Sequence, residues 1–462
     1  MNKKEEAEKA RLLKEKAVPE KAGYFIVLMI SLTLIYIVDE LASNMNGAMQ
    51  TYAILDLFHV PNADVNTKEY STAVGIMGTV QVPAMALMLI TPFYKALADR
   101  YGRKLFLILN TLIMGLGLFI CMLSPHWIIY IVGLYTVQFV QSNDMQVMYI
   151  METAPSNHRA MLCNLTKAIA LMSVSLIGVF RAIFYNPADT SSWRMVLLIP
   201  AVLGIAVALL SIFSVHETPV FVERRLAYLN QTPEERAAKA AESKEAEAKE
   251  KGGVKAALSY IFQHRQTRLI ALSGFIFTLS TGITGYYTTV LESGRSSGTL
   301  TANDITLFLI IMPFINAAFT FLCGILSDAL GRTKGCLLFS LMACAGLLLF
   351  ALGAKFGLSI WPIAIGYGMF IGTLWSVSDT LILVMPAEST PTEIRAAVVG
   401  TMALLIGIGM GISTVLYIVA INIVGAANIG LFGIALGIPV ILISCLIITR
   451  IQETKGADLN AL

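Results

Sequence analysis

Charge is scarce in this chain. Charged residues make up 14% of its 462 positions, against roughly 25% in a soluble domain. With 56% apolar residues, that shortage excludes an ordinary soluble protein of this length. Cysteine is sparse too. Cys121, Cys163, Cys323, Cys336, Cys344 and Cys445 lie in or beside apolar stretches and form no C-x-x-C pair. They read as small packing residues rather than metal ligands or a disulfide framework. No HExxH or P-loop motif occurs, so zinc-hydrolytic and nucleotide-driven chemistry lack their usual carriers. No catalytic residue, metal or cofactor is expected.

Long apolar runs are what the chain does have. About 20 apolar residues cross a hydrocarbon core of ~30 Å, and such a run must be helical because lipid satisfies no backbone group. Spans are predicted near 24–45, 72–93, 105–123, 128–150, 160–184, 194–214, 268–290, 304–327, 335–354, 361–383, 396–420 and 427–450. The expected fold is all-α and integral to the membrane, with twelve transmembrane helices. The first span lacks a small-residue cleavage site and carries Asp39 and Glu40, so it is not read as a signal peptide. With the N-terminus placed in the cytoplasm, 27 of the 33 Lys and Arg residues fall on that side. The asymmetry predicts a multi-pass cell-membrane protein with both termini cytoplasmic. It also accounts for the net charge of +3 without nucleic acid.

The chain repeats itself. Glu152-Thr-Ala-Pro155-Ser-Asn-His-Arg159 returns 236 residues later as Glu388-Ser-Thr-Pro391-Thr-Glu-Ile-Arg395. Glu217-Thr218 returns as Glu453-Thr454, again after 236 residues. Asp99-Arg100-Tyr-Gly102-Arg103 is matched by Asp328-Ala-Leu-Gly331-Arg332 at an offset of 229. Three ordered matches at equivalent turns imply two pseudo-symmetric six-helix bundles, at 24–214 and 268–450. Residues 1–23 and 451–462 are read as cytoplasmic tails, and 215–267 as a cytoplasmic linker with a charged helix. Tail and linker are expected to be solvated tethers, with regulation or lipid contact as the alternative.

These turns resemble the loop signature of the major facilitator superfamily, with Lys95 where the signature begins with Gly. Glu152, Arg159, His216-Glu217-Thr218-Pro219 and Glu453-Thr454-Lys455-Gly456 are similar to its sugar-porter and organic-ion branch. The resemblance covers about 430 residues. It implies that Asp99, Arg100, Gly102, Arg103, Glu152, Arg159, Glu217, Asp328, Gly331, Arg332, Glu388, Arg395 and Glu453 latch the cytoplasmic side in the outward-open state. It also implies a solute site near the membrane midplane, where the halves meet. The chain departs from hexose-binding members. Leu279-Ser280-Thr281-Gly282-Ile283-Thr284 stands where they carry a Gln pair, and Gly133-Leu134-Tyr135 where they carry an Arg.

An ionisable side chain deep in a span faces a cavity or a partner. Asp39 shares helical spacing with Ser43, Asn46 and Gln50, and it resembles the proton-coupling Asp of proton-linked sugar porters. A structural ion pair, or sodium or solute coordination, is the alternative role. Glu40 points about 100° away. Gln138, Gln141 and Asp144 are three apart, and Asp144 lies at the depth of Lys167, with which it is placed to pair. Arg181 is a candidate partner for Asp39 or Glu40, a solute cation site, or a snorkelling residue. Tyr286 and Tyr287 in the seventh span, Asn316 in the eighth and Trp375 in the tenth are candidate solute contacts, with packing as the bland alternative. The proton-coupling candidates are therefore Asp39, Glu40 and Asp144.

The reading is a secondary transporter, functional as a monomer, that moves a small organic solute by alternating access with protons. Two cations in one span tilt the solute toward an organic anion. A drug/proton antiporter, a sugar/proton symporter and a non-transporting nutrient receptor are the alternatives. A membrane-embedded enzyme is the least favoured class.

Overall fold

A computed structural model of the chain describes residues 3–16, 18, 23–83, 87, 94, 97–98, 101–141, 145–155, 159–232, 235, 255–391 and 394–455. Among these residues there is no strand. The helices are α1 (Lys3–Lys16), α2 (Tyr24–Leu57), α3 (Lys68–Gln81), α4 (Arg103–Leu123), α5 (Trp127–Gln141), α6 (Met145–Thr153), α7 (Arg159–Ser173), α8 (Leu176–Phe184), α9 (Trp193–Ser214), α10 (Pro219–Asn230), α11 (Arg265–Thr278), α12 (Tyr287–Ser296), α13 (Ala302–Leu330), α14 (Arg332–Phe356), α15 (Ile360–Asp379), α16 (Met385–Glu388), α17 (Arg395–Val424) and α18 (Ile429–Ile448).

Ten stretches among the described residues are long and apolar enough to cross a membrane, and they coincide with ten of the twelve expected spans. The other two expected spans, near 72–93 and 128–150, contain positions outside the described residues. Their described parts are helical, including α3, α5 and α6. The fold is the twelve-helix, all-α membrane architecture.

By packing, the chain divides into two compact units. One comprises Met1–Asn46 and Pro83–Ser243, the other Gly47–Val82 and Lys244–Leu462. The long helix α2 runs through the division. Its 34 residues span about 51 Å, and it ends at Leu57 instead of near 45. Asn46, Gln50, Thr51 and Tyr52 break the apolar run there, so composition alone suggests an exit that the backbone does not make.

In the first unit α4 packs between α5 and α9. Gly117 and Gly133 let α4 and α5 touch backbone to backbone, a methyl on Gly133 falling 2.8 Å from the Gly117 carbonyl. Such small-residue contacts are how membrane helices gain packing without a hydrophobic drive between them. The segment expected to be a solvated tether is docked. Leu12 of α1 is buried with Phe221, Val222, Leu226 and Leu229 of α10. Glu8 pairs with Arg225 at 2.8 Å, and Glu15 with His216 at 2.9 Å.

In the second unit α15 packs against α13 and α14, and α11 against α17 and α18. The seventh span breaks after Thr278 into a 3-10 turn, Thr281–Gly285, before α12 resumes. A break in lipid frees backbone groups that need partners. Ser413 of α17 supplies them: its hydroxyl accepts from Gly282 N at 2.8 Å and donates to Leu279 O at 2.6 Å.

Candidate functional site

The repeated loop motifs build the same device twice. Gly102 precedes α4 with φ +111, and the Glu217 carboxylate accepts from the exposed amides of Arg103 at 3.0 Å and Lys104 at 3.2 Å. Gly331 precedes α14 with φ +93, and Glu453 accepts from Arg332 N at 2.8 Å and Thr333 N at 3.1 Å. A carboxylate at a helix start satisfies orphan N–H groups and meets the positive end of the helix dipole. Glycine is needed for a second reason as well. A methyl on Gly102 or Gly331 would lie 2.5 Å from a carboxylate oxygen of Glu217 or Glu453.

The arginine of each motif turns to the repeated acidic turn. Arg103, 5% exposed, pairs with Glu152. Arg332 reaches Glu388 at 3.3 Å and Asp328 at 2.8 Å. Thr454 also donates to Glu388, at 2.6 Å. Each set of contacts closes within one unit. Arg395 donates to Thr390 O at 3.2 Å, and Arg159 opens α7. Asp99 and Arg100 lie outside the described residues.

The two capping carboxylates differ in environment. Burial pushes Glu217 above its ordinary pKa, partly offset by the amides of Thr218, Lys104 and Arg103, while the charge of Glu15 adds to the rise. For Glu453 burial also acts upward, but the amides of Lys455, Arg332, Thr333 and Thr454 outweigh it and hold the pKa low.

Asp39 is 8% exposed, and it accepts a hydrogen bond from Gln146 Nε2 at 2.7 Å. The expected polar stripe is split. Gln50 belongs to the other unit and donates to Gln81 at 3.2 Å. Glu40 accepts from Asn44, one turn along α2, at 3.2 Å. The side-chain oxygens of Asn46 and Gln138 are buried without a hydrogen-bond donor, and Gln141 is exposed. Lys167 is exposed on α7. Its expected partner Asp144 lies outside the described residues. Arg181, 2% exposed, places its guanidinium over the Tyr185 ring at 4.4 Å.

In the second unit Tyr286 stacks on Tyr417 at 5.8 Å. Tyr287, a candidate solute contact, stacks against Tyr367 at 5.0 Å and Phe308 at 6.0 Å. Asn316 accepts from Thr320 one turn away at 3.3 Å. Trp375 is 39% exposed.

Sequence reasoning missed Gln146 and a buried polar cluster around Glu292. Glu292 is fully buried, takes the Tyr52 hydroxyl at 2.6 Å and pairs with Arg295. Beside it, Thr51 bonds Thr288 at 2.9 Å, and Tyr70 bonds Thr289 at 2.9 Å. Gln146 sits inside the predicted fourth span, so its polarity was itself the signal. Glu292 falls two residues past the predicted end of the seventh, where an acid reads as loop.

A duplicated six-helix unit with matching capped loops and a carboxylate buried in a span defines a multi-pass transport protein. The sequence matches the Major Facilitator Superfamily over residues 23–414, and the chain belongs to that family of membrane transporters. Among solved structures it is similar to a D-xylose-proton symporter, at 16% identity over 94% of this chain and 99% of that one, TM-score 0.69. It is also similar to a bacterial homolog of the human lysosomal transporter Spinster, at 15% identity over 93% and 98%, TM-score 0.63. A short stretch of 119 residues is 29% identical to the mouse (Mus musculus) solute carrier family 2, facilitated glucose transporter member 12. That stretch is 25% of this chain and spans about a fifth, 19%, of that relative.

Proposed function

We propose that this transporter is a secondary carrier that moves a small organic solute by alternating access, coupled to protons through Asp39. The observation that carries the reading is the Asp39 carboxylate itself, 8% exposed inside an apolar span and bonded to the neutral amide of Gln146. A carboxylate in such a place is costly unless it pairs or titrates. No nucleotide motif offers another energy source.

The solute class follows from polar groups in the spans. Lys167 lies in an apolar span with its side chain exposed, which supports an organic anion. A second reading, a polyhydroxylated solute, is supported by the buried oxygens of Asn46 and Gln138 that lack donors, since hydroxyl groups would supply them. One chain suffices as the functional unit, with both termini in the cytoplasm.

The test is uptake by purified protein in proteoliposomes, across organic anions, sugars and cationic drugs, with and without an imposed pH gradient. The proposal predicts accumulation of one small-solute class that requires the gradient. Accumulation of none of them under any gradient, or accumulation indifferent to pH, would overturn it.

A further inference from the structure

We propose that α1 is a detachable strap on the cap of the first unit. Docked, its Glu15 pins the turn at His216 and Glu217 and keeps the Glu217 carboxylate on the start of α4. Released, it lets that cap loosen. The inference goes beyond the transport reading and depends on neither the solute nor Asp39.

The docking contacts run in order along two antiparallel helices of one unit. In the first half of α1, Lys9 Nζ donates to Asn230 Oδ1 at 2.7 Å. Glu8 takes Arg225 with both oxygens, from Nε at 2.8 Å and Nη2 at 3.1 Å. Further along, Leu12, 1% exposed, is buried with Phe221, Val222, Leu226 and Leu229 of α10. Near its end Glu15 Oε2 accepts twice, from His216 Nδ1 at 2.9 Å and from the backbone amide of Glu217 at 3.3 Å.

That end of α1 meets a junction. The His216 amide donates to the Tyr24 hydroxyl at 3.0 Å, and its carbonyl accepts from the Tyr149 hydroxyl at 3.3 Å. So α2 and α6 hold the backbone of His216, while α1 holds its ring and the amide that follows. From this junction the Glu217 side chain extends to the amides of Arg103 and Lys104. The path from Glu15 to α4 therefore runs through Glu217, and Glu15 is a positioning residue for that carboxylate.

The duplication supplies the comparison. At the matching turn, 236 residues on, Gln452 stands where His216 does and Glu453 where Glu217 does. There Gln266 pins the backbone of Gln452, accepting from its amide at 3.1 Å and donating to its carbonyl at 2.9 Å. Gln266 belongs to α11, part of an apolar stretch long enough to cross a membrane, so this pin is permanent. Glu15 belongs to a helix of 14 residues, a length that is marginal in water by itself. Ten of those residues are charged, and Leu12 is its one buried side chain among the described residues. Folding of α1 and its docking are thus one event with a single apolar anchor. One cap is pinned from within a span, the other by a segment that can leave.

The experiment reads amide hydrogen exchange of the full chain in lipid nanodiscs, a measure of local opening. In the native chain the amides of α1 should exchange as a group and faster than those of Arg103 and Lys104. Glu15→Ala removes the pin and leaves Leu12 in place; Leu12→Asp releases the whole strap. Each should speed exchange at Arg103 and Lys104 about tenfold, the worth of one ordinary hydrogen bond, and leave Arg332 and Thr333 at the second cap unchanged. Glu15→Gln keeps an acceptor for the Glu217 amide and should stay within about twofold of the native rate. In a Glu217→Ala background, where the cap is already gone, Glu15→Ala should add nothing at α4. Unchanged exchange at Arg103 and Lys104 in Glu15→Ala overturns the proposal, whatever Leu12→Asp does. Equal acceleration at both caps, or acceleration that persists without Glu217, also overturns it, because Glu15 then acts on general stability. Exchange of α1 slower than that of Arg103 and Lys104 makes α1 a fixed part of the core and overturns the strap.

Discussion

Replacing Gly331 by Ala isolates what the Glu453 carboxylate does at the start of α14. Gly331 has φ 93 and ψ 168, a region that costs an L-residue roughly 1–3 kcal/mol. A methyl there also stands 2.5 Å from one Glu453 oxygen and 2.8 Å from its carboxyl carbon, so the carboxylate has to leave. Gly425 shares the backbone geometry, φ 76 and ψ 163, but has open space at its methyl position. Gly425→Ala thus carries the backbone cost alone. The excess of Gly331→Ala over it reports the loss of bonds to Arg332 N and Thr333 N, at 2.8 and 3.1 Å. Bonds to a charged group are worth roughly 1.5–3 kcal/mol each. Glu453 is exposed, and water competition reduces each to about 1 kcal/mol, for an excess of about 2 kcal/mol. At roughly 1 °C per kcal/mol for a chain of this length, Gly331→Ala should melt about 2 °C below Gly425→Ala in detergent. In a Glu453→Ala background the two should melt together. Equal melting of the two glycine variants with Glu453 intact, or a gap that persists without Glu453, would refute the capping argument.

The two caps should answer pH with opposite sign. Glu453 has a lowered pKa, so its contribution is present above the ordinary carboxylate range and lost as pH falls through its folded pKa; Glu453→Gln should be destabilised at neutral pH, the gap closing in acid. Glu217 has a raised pKa, so its favourable term is present below the ordinary carboxylate range and lost as pH rises through its folded value; Glu217→Gln should gain on the native protein as pH rises through that window, read by melting from pH 4 to 8. The docking of α1 should be visible as efficient oxidative cross-linking of cysteines placed at Leu12 and Val222, reduced several-fold by Glu8→Arg and recovered when Arg225→Glu restores the pair. Cysteines placed at Ser243 and Ser296 should label from opposite sides of the membrane, and same-side labelling would contradict the orientation drawn from the basic residues.

The apolar runs made the helices legible because lipid leaves the backbone no alternative to internal hydrogen bonds. The loop devices were legible because duplication repeats them at fixed offsets, which is why Glu217 and Glu453 stood out before their amide partners were known. The partners were not legible. Sequence spacing singles out Arg103 but does not announce that Glu152 is among its partners, a contact made by packing between helices. The stripe from Asp39 to Gln50 followed helical spacing correctly, yet the chain changes packing unit after Asn46. Periodicity along one helix cannot announce that. Gln146 and Glu292 were missed because each gains meaning only from a residue more than 100 positions away, Asp39 and Tyr52 respectively.

The most direct test of the account is Asp39→Asn, with Glu40→Gln as the neighbouring control. Asparagine copies the protonated carboxyl and cannot release a proton. Both variants are reconstituted and assayed for uphill uptake on a pH gradient and for exchange between equally loaded compartments. The account predicts that Asp39→Asn loses uphill uptake and keeps exchange, while Glu40→Gln keeps both. Uphill accumulation by Asp39→Asn on a proton gradient would contradict it.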